Sequence, residues 1–222
     1  QALETTAHVA PRLAPDPDSL PPTRFGERLP AWRQAEWPQD LRVVGVHVHL
    51  HGYSEADRRT ALAEAIALVE HLRALGQPAE FIDIGGGVPM SYLESREQWE
   101  NYLERIASQR AGTGEPFTWK ADPLSNTYPF WQEPTRGQWL DHLLSGEVPG
   151  YGTAGKELRE RNIALHLEPG RSLLDGCGVI LTEVSFLKER SDGLPLIGVA
   201  MNRTQCRTAA DDILLDPLLV PT

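Results

Sequence analysis

The chain has 222 residues, of which 41% are hydrophobic, enough for one large domain with a buried core. Its formal net charge of -10 makes nucleic acid and anionic membranes poor partners, and no apolar run approaches the roughly 18 residues of a transmembrane helix. Residues 1–10 contain no basic stretch followed by an apolar one, so the sequence predicts no secretory signal and a cytoplasmic location. Cys177 and Cys206 have no metal-binding or redox spacing.

The first elements predicted along the chain are a strand, a helix and a second strand. Residues 41–50 (LRVVGVHVHL) are rich in β-branched side chains and favour a buried strand. Ser54 begins a helix and Gly76 ends it. Apolar residues recur between them at helical spacing: Leu62, Ile66, Val69, Leu72 and Leu75. Residues 80–84 (EFIDI) predict the second strand.

The middle of the chain is more irregular. A helix is predicted over residues 95–109, and a Pro- and Trp-rich insertion over 111–151 with at most one helix, near 135–144. Residues 156–161 then predict a short helix and residues 162–167 a strand.

The end of the chain changes pattern, because strands predicted at 178–187 and 194–200 have no helix between them. Alternating strands and helices indicate an α/β fold with a parallel sheet, whereas consecutive strands indicate a β-domain. The sequence therefore predicts a barrel-type domain over residues 1–177, including the 111–151 insertion, and the start of a β-domain over 178–222.

Three histidines follow one another at alternate positions at the end of the first predicted strand: His47, His49 and His51. Strand alternation would place their imidazoles on one face. Three interpretations stay open: a core histidine with two incidental neighbours, a zinc site, or a ring that stacks on a planar cofactor.

Two further strand ends carry unusual residues. Asp83 to Gly87 (DIGGG) can leave backbone N–H groups bare to wrap a phosphate, although a tight strand-to-helix turn explains the glycines equally well. In the segment EPGRS, Glu168 can hold a pyridinium nitrogen protonated, and Arg171 can bind a phosphate or carboxylate through two hydrogen bonds. A structural ion pair between Glu168 and Arg171 is the alternative.

Four segments, in order along the chain, resemble the fold-type III pyridoxal-phosphate (PLP) enzymes, the diaminopimelate, ornithine and arginine decarboxylase family. Val9 to Leu13 and then Arg24 to Gly26 resemble the family's arginine-bearing strand and its Phe-Gly turn. Gly45 to His49 resembles the strand whose last histidine stacks on the cofactor. Asp83 to Gly87 resembles its phosphate-binding turn, and Glu168 to Ser172 its EPGRS segment.

The resemblance implies PLP as the cofactor and no metal. His49 would stack on the pyridine ring and Glu168 would pair with its nitrogen. Arg171 would organise the phosphate end, and Arg12 would lie near the phenolic oxygen. The full set of implied cofactor-binding residues is Arg12, His49, Gly85, Gly86, Gly87, Glu168, Gly170 and Arg171.

The implied fold is the second half of a (β/α)8 barrel of the alanine racemase type, followed by the start of a C-terminal β-domain. The family's Schiff-base lysine lies on an early barrel strand, and none of Lys120, Lys156 and Lys188 follows a strand in that order. We therefore expect a longer parent protein that supplies this lysine, so no catalytic residue is assigned within the chain.

The implied activity is decarboxylation of an amino acid, as in diaminopimelate or ornithine decarboxylase, by a homodimer. Three alternatives stay open. One is a PLP-dependent racemase, which the carboxylate of Glu168 disfavours. The second is a metal-dependent hydrolase that uses His47, His49 and His51, with His166 as a further ligand. The third is a non-catalytic PLP-binding module.

Overall fold

The structure, a computed structural model, describes residues 6–119, 122–124, 130–202 and 218–220. Of the residues discussed above, Lys120 and Cys206 lie outside these ranges, and Cys177 is exposed. Within the described residues no helix combines the length and apolarity that crossing a membrane requires.

The chain divides into two compact units, residues 1–90 with 133–173 and residues 91–132 with 174–222. The strands are β1 (Ala7–Val9), β2 (Leu41–Val43), β3 (Gly45–His47), β4 (Phe81–Asp83), β5 (Thr118–Trp119), β6 (Asp122–Pro123), β7 (Ala164–His166), β8 (Val184–Glu189) and β9 (Pro195–Val199). The helices are α1 (Leu29–Gln34), α2 (Glu55–Ala74), α3 (Arg96–Arg110), α4 (Arg136–Ser145), α5 (Ala154–Glu160) and α6 (Arg171–Leu174).

The first unit is built on parallel strands. β1 pairs with β2, and β3, β4 and β7 form a three-stranded sheet with β4 in the centre. The segment after β1 continues alongside β3, because the backbone N–H of Leu13 donates to the carbonyl oxygen of His47 at 2.8 Å. Parallel strands joined by helices confirm the predicted α/β class.

The strand predicted over residues 41–50 is wrong in its extent. It divides at Val44, where the pairing partner changes from β1 to β4. Val44 bonds to both neighbours, donating to Val9 and accepting from Glu80. The strand ends at His47, and the backbone then turns into α2 through Gly52, whose φ of +83° no strand residue adopts.

Helix α2 confirms the predicted helix. The Ser54 hydroxyl caps it by accepting from the backbone N–H of Asp57 at 3.1 Å, and Gly76 follows its end with a φ of +78°. The helix buries one face against the sheet. Its buried residues are Arg58, Ala61, Leu62, Ala65, Ile66, Leu68, Val69 and Leu72.

Helix α4 confirms the single helix predicted near residues 135–144. Its residues Trp139 and Leu143 are buried in the same core as α2. The indole Nε1 of Trp139 donates to the carbonyl oxygen of Tyr53 at 2.8 Å, so this helix holds the loop that leads from β3 to α2.

The second unit contains α3 and an antiparallel hairpin of β8 and β9. Ser95 and Gln98 form a capping box at the start of α3. The strand predicted at 178–187 is wrong at its beginning, since β8 starts only at Val184. Within the described residues, positions 178–182 pair with no strand, and backbone that lacks a pairing partner does not become a strand.

Candidate functional site

The register of β3, β4 and β7 aligns three strand ends. His47 lies opposite Asp83, and Asp83 lies opposite His166. Two residues beyond this row the same three segments carry His49, Gly85 and Glu168. Because the strands are parallel, these groups meet at the carboxyl edge of the sheet, where ligand sites form in α/β folds.

His49 and Glu168 contact each other directly. Nδ1 of His49 lies 3.1 Å from Oε2 of Glu168, and their side chains are 40% and 51% exposed. One ring nitrogen each of His47 and His49 and a carboxylate oxygen of Glu168 all lie within 4.8 Å of one another. Two imidazoles and one carboxylate therefore converge at the strand ends, where His49 and Glu168 are partly exposed.

His47 is the deepest member of this group. Burial lowers the pKa of its imidazole, although the charges of Asp83 and Glu168 act in the opposite direction. Its Nε2 is buried and has no hydrogen-bond partner among the described residues. Burial therefore favours the neutral ring, which carries one N–H donor and one acceptor nitrogen.

The glycine turn after β4 is required by close packing. Gly85 and Gly87 have φ values of +70° and +77°. A Cβ at Gly85 would lie 2.6 Å from Nδ1 of His49, and one at Gly86 would lie 3.0 Å from the carbonyl oxygen of Glu168. Only glycine lets this turn approach both groups, so no side chain covers the backbone at the strand ends.

Arg58 holds the glycine turn by a hydrogen bond to Gly86, a role that was not predicted from the sequence. Its guanidinium is 1% exposed and donates to the carbonyl oxygens of Gly52, Ser54 and Gly86, the last through Nη2 at 2.6 Å. Burial lowers its pKa. The available signal was its phase, since Arg58 lies on the buried stripe of α2, four residues before Leu62.

Arg12 lies beside His49, at one wall of a cleft of about 310 Å³. Its Nη2 donates to the carbonyl oxygen of His49 at 3.2 Å, and its guanidinium lies 4.8 Å from the centroid of Phe25. Gly26 adopts a φ of +81° there, and a Cβ would lie 2.3 Å from the carbonyl oxygen of Arg12. The Phe-Gly turn thus packs against Arg12.

Arg171 lies at the start of α6, directly after Gly170 with its φ of +51°. Its Nη2 donates to the phenolic oxygen of Tyr53 at 2.5 Å. The structure therefore connects the EPGRS segment to the loop before α2. The predicted role of Arg171 at a phosphate stays a prediction.

The ligand set suggested for a metal-dependent hydrolase needs correction. His51 lies outside the group formed by His47, His49 and Glu168, because the chain leaves the strand before reaching it, and it lines the cleft instead. His166 stacks on the ring of Phe81 with a centroid distance of 4.3 Å. In the structure Glu168, rather than either of these two histidines, is the third member of the group.

Of the two lysines that the structure describes, one lies on a helix of the first unit and the other on a strand of the second unit. Lys156 lies on α5, is 61% exposed and faces Glu160 at 3.9 Å. Lys188 lies exposed on β8.

Comparison with known proteins finds a family and several relatives that match this chain. The family described as "Pyridoxal-dependent decarboxylase, pyridoxal binding domain" matches residues 22–117. Diaminopimelate decarboxylase of Neisseria meningitidis is 25% identical over 222 residues, which cover 90% of this chain and 42% of the relative. These matches support membership of the chain in the fold-type III PLP-dependent decarboxylase family.

Two further matches extend this result. An uncharacterized protein of Sinorhizobium fredii, y4yA, is 33% identical to this chain over 184 residues, 82% of the chain and 38% of the relative. The crystal structure of diaminopimelate decarboxylase from M. jannaschii in co-complex with L-lysine shares the fold, with a TM-score of 0.51, 20% identity and coverage of 89% of this chain and 40% of that one. The chain thus spans about two fifths of the length of the relatives it matches.

The strand ends fit PLP, the cofactor of this family. An exposed carboxylate at Glu168 suits a ring nitrogen, and the partly exposed imidazole of His49 suits a planar ring. The glycine turn presents backbone that a Cβ would otherwise obstruct. The carboxylate, the imidazole and the glycine turn therefore suit the ring nitrogen, the ring and the phosphate of PLP, respectively.

Proposed function

We propose that the full-length protein decarboxylates an amino acid with PLP. The observation that carries this proposal is the common offset of His49, Gly85 and Glu168, each two residues beyond one register row of the parallel sheet. Three segments far apart in sequence thereby bring an imidazole, a glycine turn and a carboxylate to a single edge.

In this proposal the cofactor-binding residues are those implied by the resemblance. His49 stacks on the ring, Gly85 to Gly87 bind the phosphate, and Arg171 supports the phosphate end. Arg12, which already contacts the backbone of His49, lies beside the phenolic oxygen. When bound, PLP supplies an electron sink for the charge that remains when a bond to the substrate's α-carbon breaks.

Glu168 has the central electrostatic role. Its carboxylate holds a proton on the ring nitrogen, which keeps that ring cationic and electron-withdrawing. His49 stays beside Glu168, 3.1 Å away in this structure, and fixes its orientation. A carboxylate in this position favours decarboxylation over racemisation, because racemases of this fold tend to leave the ring nitrogen unprotonated.

The substrate class is a diamino acid. The support is the name of the Neisseria relative, diaminopimelate decarboxylase, and the L-lysine in the M. jannaschii complex. We further propose a homodimer whose Schiff-base lysine lies outside this chain, and a β-domain that begins near residue 178.

The first test is an absorbance spectrum of the full-length protein with PLP, before and after borohydride. We expect an absorbance band of bound PLP that disappears on borohydride reduction. The cofactor should then be attached to a lysine peptide other than those of Lys120, Lys156 and Lys188. The fixed protein should lose CO2 release from diaminopimelate or ornithine. Absence of bound PLP would overturn the proposal, and PLP held without any lysine adduct would make the chain part of a non-catalytic module.

Glu168→Gln tests the assigned role. It removes the charge that keeps the ring nitrogen protonated, so we expect kcat/KM for decarboxylation to fall by about 100-fold or more, the usual range for a positioned proton-holding group. Glu160→Gln, on the exposed face of α5, is the matched control and should retain activity. Equal activity of both variants would remove Glu168 from the mechanism.

A further inference from the structure

The group formed by His47, His49 and Glu168 has the composition of a transition-metal site. Neutral imidazole nitrogen and carboxylate oxygen are the ligands that Zn²⁺ takes in catalytic sites with three protein ligands. The three ligand atoms here lie within 4.8 Å of one another. In the described part of the chain, no other three His, Cys, Asp or Glu side chains bring their ligand atoms this close together.

The separation of two of the three ligand atoms suits a single ion. Two ligand atoms bound to one tetrahedral Zn²⁺ at about 2.0–2.1 Å are separated by about 3.3 Å. Nδ1 of His49 and Oε2 of Glu168 are 3.1 Å apart in this structure. Binding an ion between them therefore needs only a small movement of these two side chains, whose other contacts leave them partly exposed.

A second observation points to an external partner. Nε2 of His47 is buried and has no hydrogen-bond partner among the described residues. A buried polar atom left in this state is costly, and a bond from this nitrogen to a metal ion would satisfy it. The exposed sides of His49 and Glu168 provide the entry path and leave a coordination position for water.

We propose that, in the absence of PLP, His47, His49 and Glu168 bind one Zn²⁺ ion, and that this ion competes with the cofactor. The competition rests on the proposed function, because it requires that PLP contact His49 and Glu168. The zinc site itself does not, since its ligands converge in the protein without a cofactor.

The direct test titrates Zn²⁺ alone into cofactor-free full-length protein, in competition with a chromogenic chelator. We expect one ion per chain. His47→Gln and Glu168→Gln should each weaken binding at least about tenfold, the loss that even outer-shell substitutions typically cause. His51→Gln is the matched control, because His51 follows the same strand but lies outside the group, and should bind as the wild type does.

Two results would overturn the site: no stoichiometric Zn²⁺ in the wild type, or equal weakening in His51→Gln and His47→Gln. Circular dichroism of each variant separates loss of a ligand from loss of the fold, and Glu168→Gln, which keeps the side-chain shape, remains informative if a histidine variant unfolds.

Competition is measured by titrating PLP at increasing Zn²⁺. At a zinc concentration ten times its Kd, mutually exclusive binding raises the apparent Kd for PLP about tenfold. Unchanged PLP affinity with bound zinc would refute the competition. Protein that binds Zn²⁺ but never binds PLP would refute the proposed function and leave the metal site standing, so the two failures are distinguishable.

Discussion

In the unit formed by residues 1–90 and 133–173, apolar side chains of the sheet and of α2 are almost completely buried, whereas on the β8–β9 hairpin of the other unit they face solvent. Leu62 on α2 is 0% exposed. On the hairpin, Phe186 and Leu187 are 53% and 73% exposed. Both regions follow regular patterns in the sequence, so pattern alone does not distinguish a satisfied core from an uncovered surface.

The comparison separates local from distant causes of structure. α2 is capped by its own residues and packed by elements of its own unit, which fixes its length and its face. The hairpin has its pairing and register within itself, but the described residues supply nothing that covers its apolar side chains. Each prediction below tests how much of the molecule's stability lies on one side of this division.

The largest difference is expected between Leu62→Ala and Leu187→Ala. The first leaves a cavity in a closed core and should lower the free energy of unfolding by about 2–5 kcal/mol. The second truncates an exposed side chain and should change it by less than about 0.5 kcal/mol. Urea unfolding of the full-length protein measures both, and a comparable loss for Leu187→Ala would show that the hairpin is covered in the whole protein.

Arg58→Met should have the next largest effect. It keeps the aliphatic stem but leaves three carbonyl oxygens without their donor, which we expect to lower the free energy of unfolding by about 2–4 kcal/mol. Arg59→Met on the same helix loses a single, exposed hydrogen bond to His142 and is the control. Similar losses in the two variants would mean that Arg58 does not organise the glycine turn.

Gly85→Ala tests the close approach at the site. An alanine at positive φ costs about 1–2 kcal/mol wherever it is placed, and Gly76→Ala, whose Cβ would meet nothing within 4 Å, measures that cost alone. Gly85→Ala adds a clash with the His49 ring. It should therefore destabilise more than Gly76→Ala and also weaken PLP binding, and equal unfolding curves would contradict the packing described here.

The smallest effect is a pH dependence at Glu157. The backbone N–H of Gly152, and then Arg161, hold the pKa of this carboxyl below its usual range. A lowered folded-state pKa stabilises the protein above the unfolded-state pKa of about 4.3, and this is lost as the pH falls through the folded-state value.

Glu157→Gln should accordingly lower Tm at pH 7 and lower it progressively less below about pH 4. Thermal unfolding across this range measures the difference, with Glu160→Gln on the same helix as the control. A gap that stays constant with pH would exclude the carboxylate charge as its cause.

Much of the fold and part of the site followed from the sequence. The Ser54 cap, the apolar spacing to Leu72 and the glycine at position 76 predicted α2 almost to the residue, because a helix depends on neighbours three and four positions apart. The strand end at His47 and the late start of β8 were not predictable, because strands depend on partners that are distant in sequence.

The same reason explains what was missed at the site. The sequence singled out His47, His49 and Glu168 separately, but only the parallel register shows that the carboxylate, rather than His51, joins the two imidazoles. The glycines were correctly placed at a turn, whereas their dependence on Arg58 and on the His49 ring arises from packing across three segments.

The position of β7 beside β4 has a consequence for the order of folding. β3, α2 and β4 are contiguous in the chain, whereas β7 begins about eighty residues after β4 ends. Closing the longer loop carries the larger entropy loss, and distant pairings form late. We therefore expect Glu168 to reach the sheet edge last. Until then the nascent chain presents an imidazole and a glycine turn, but not the carboxylate with which the site discriminates among small molecules.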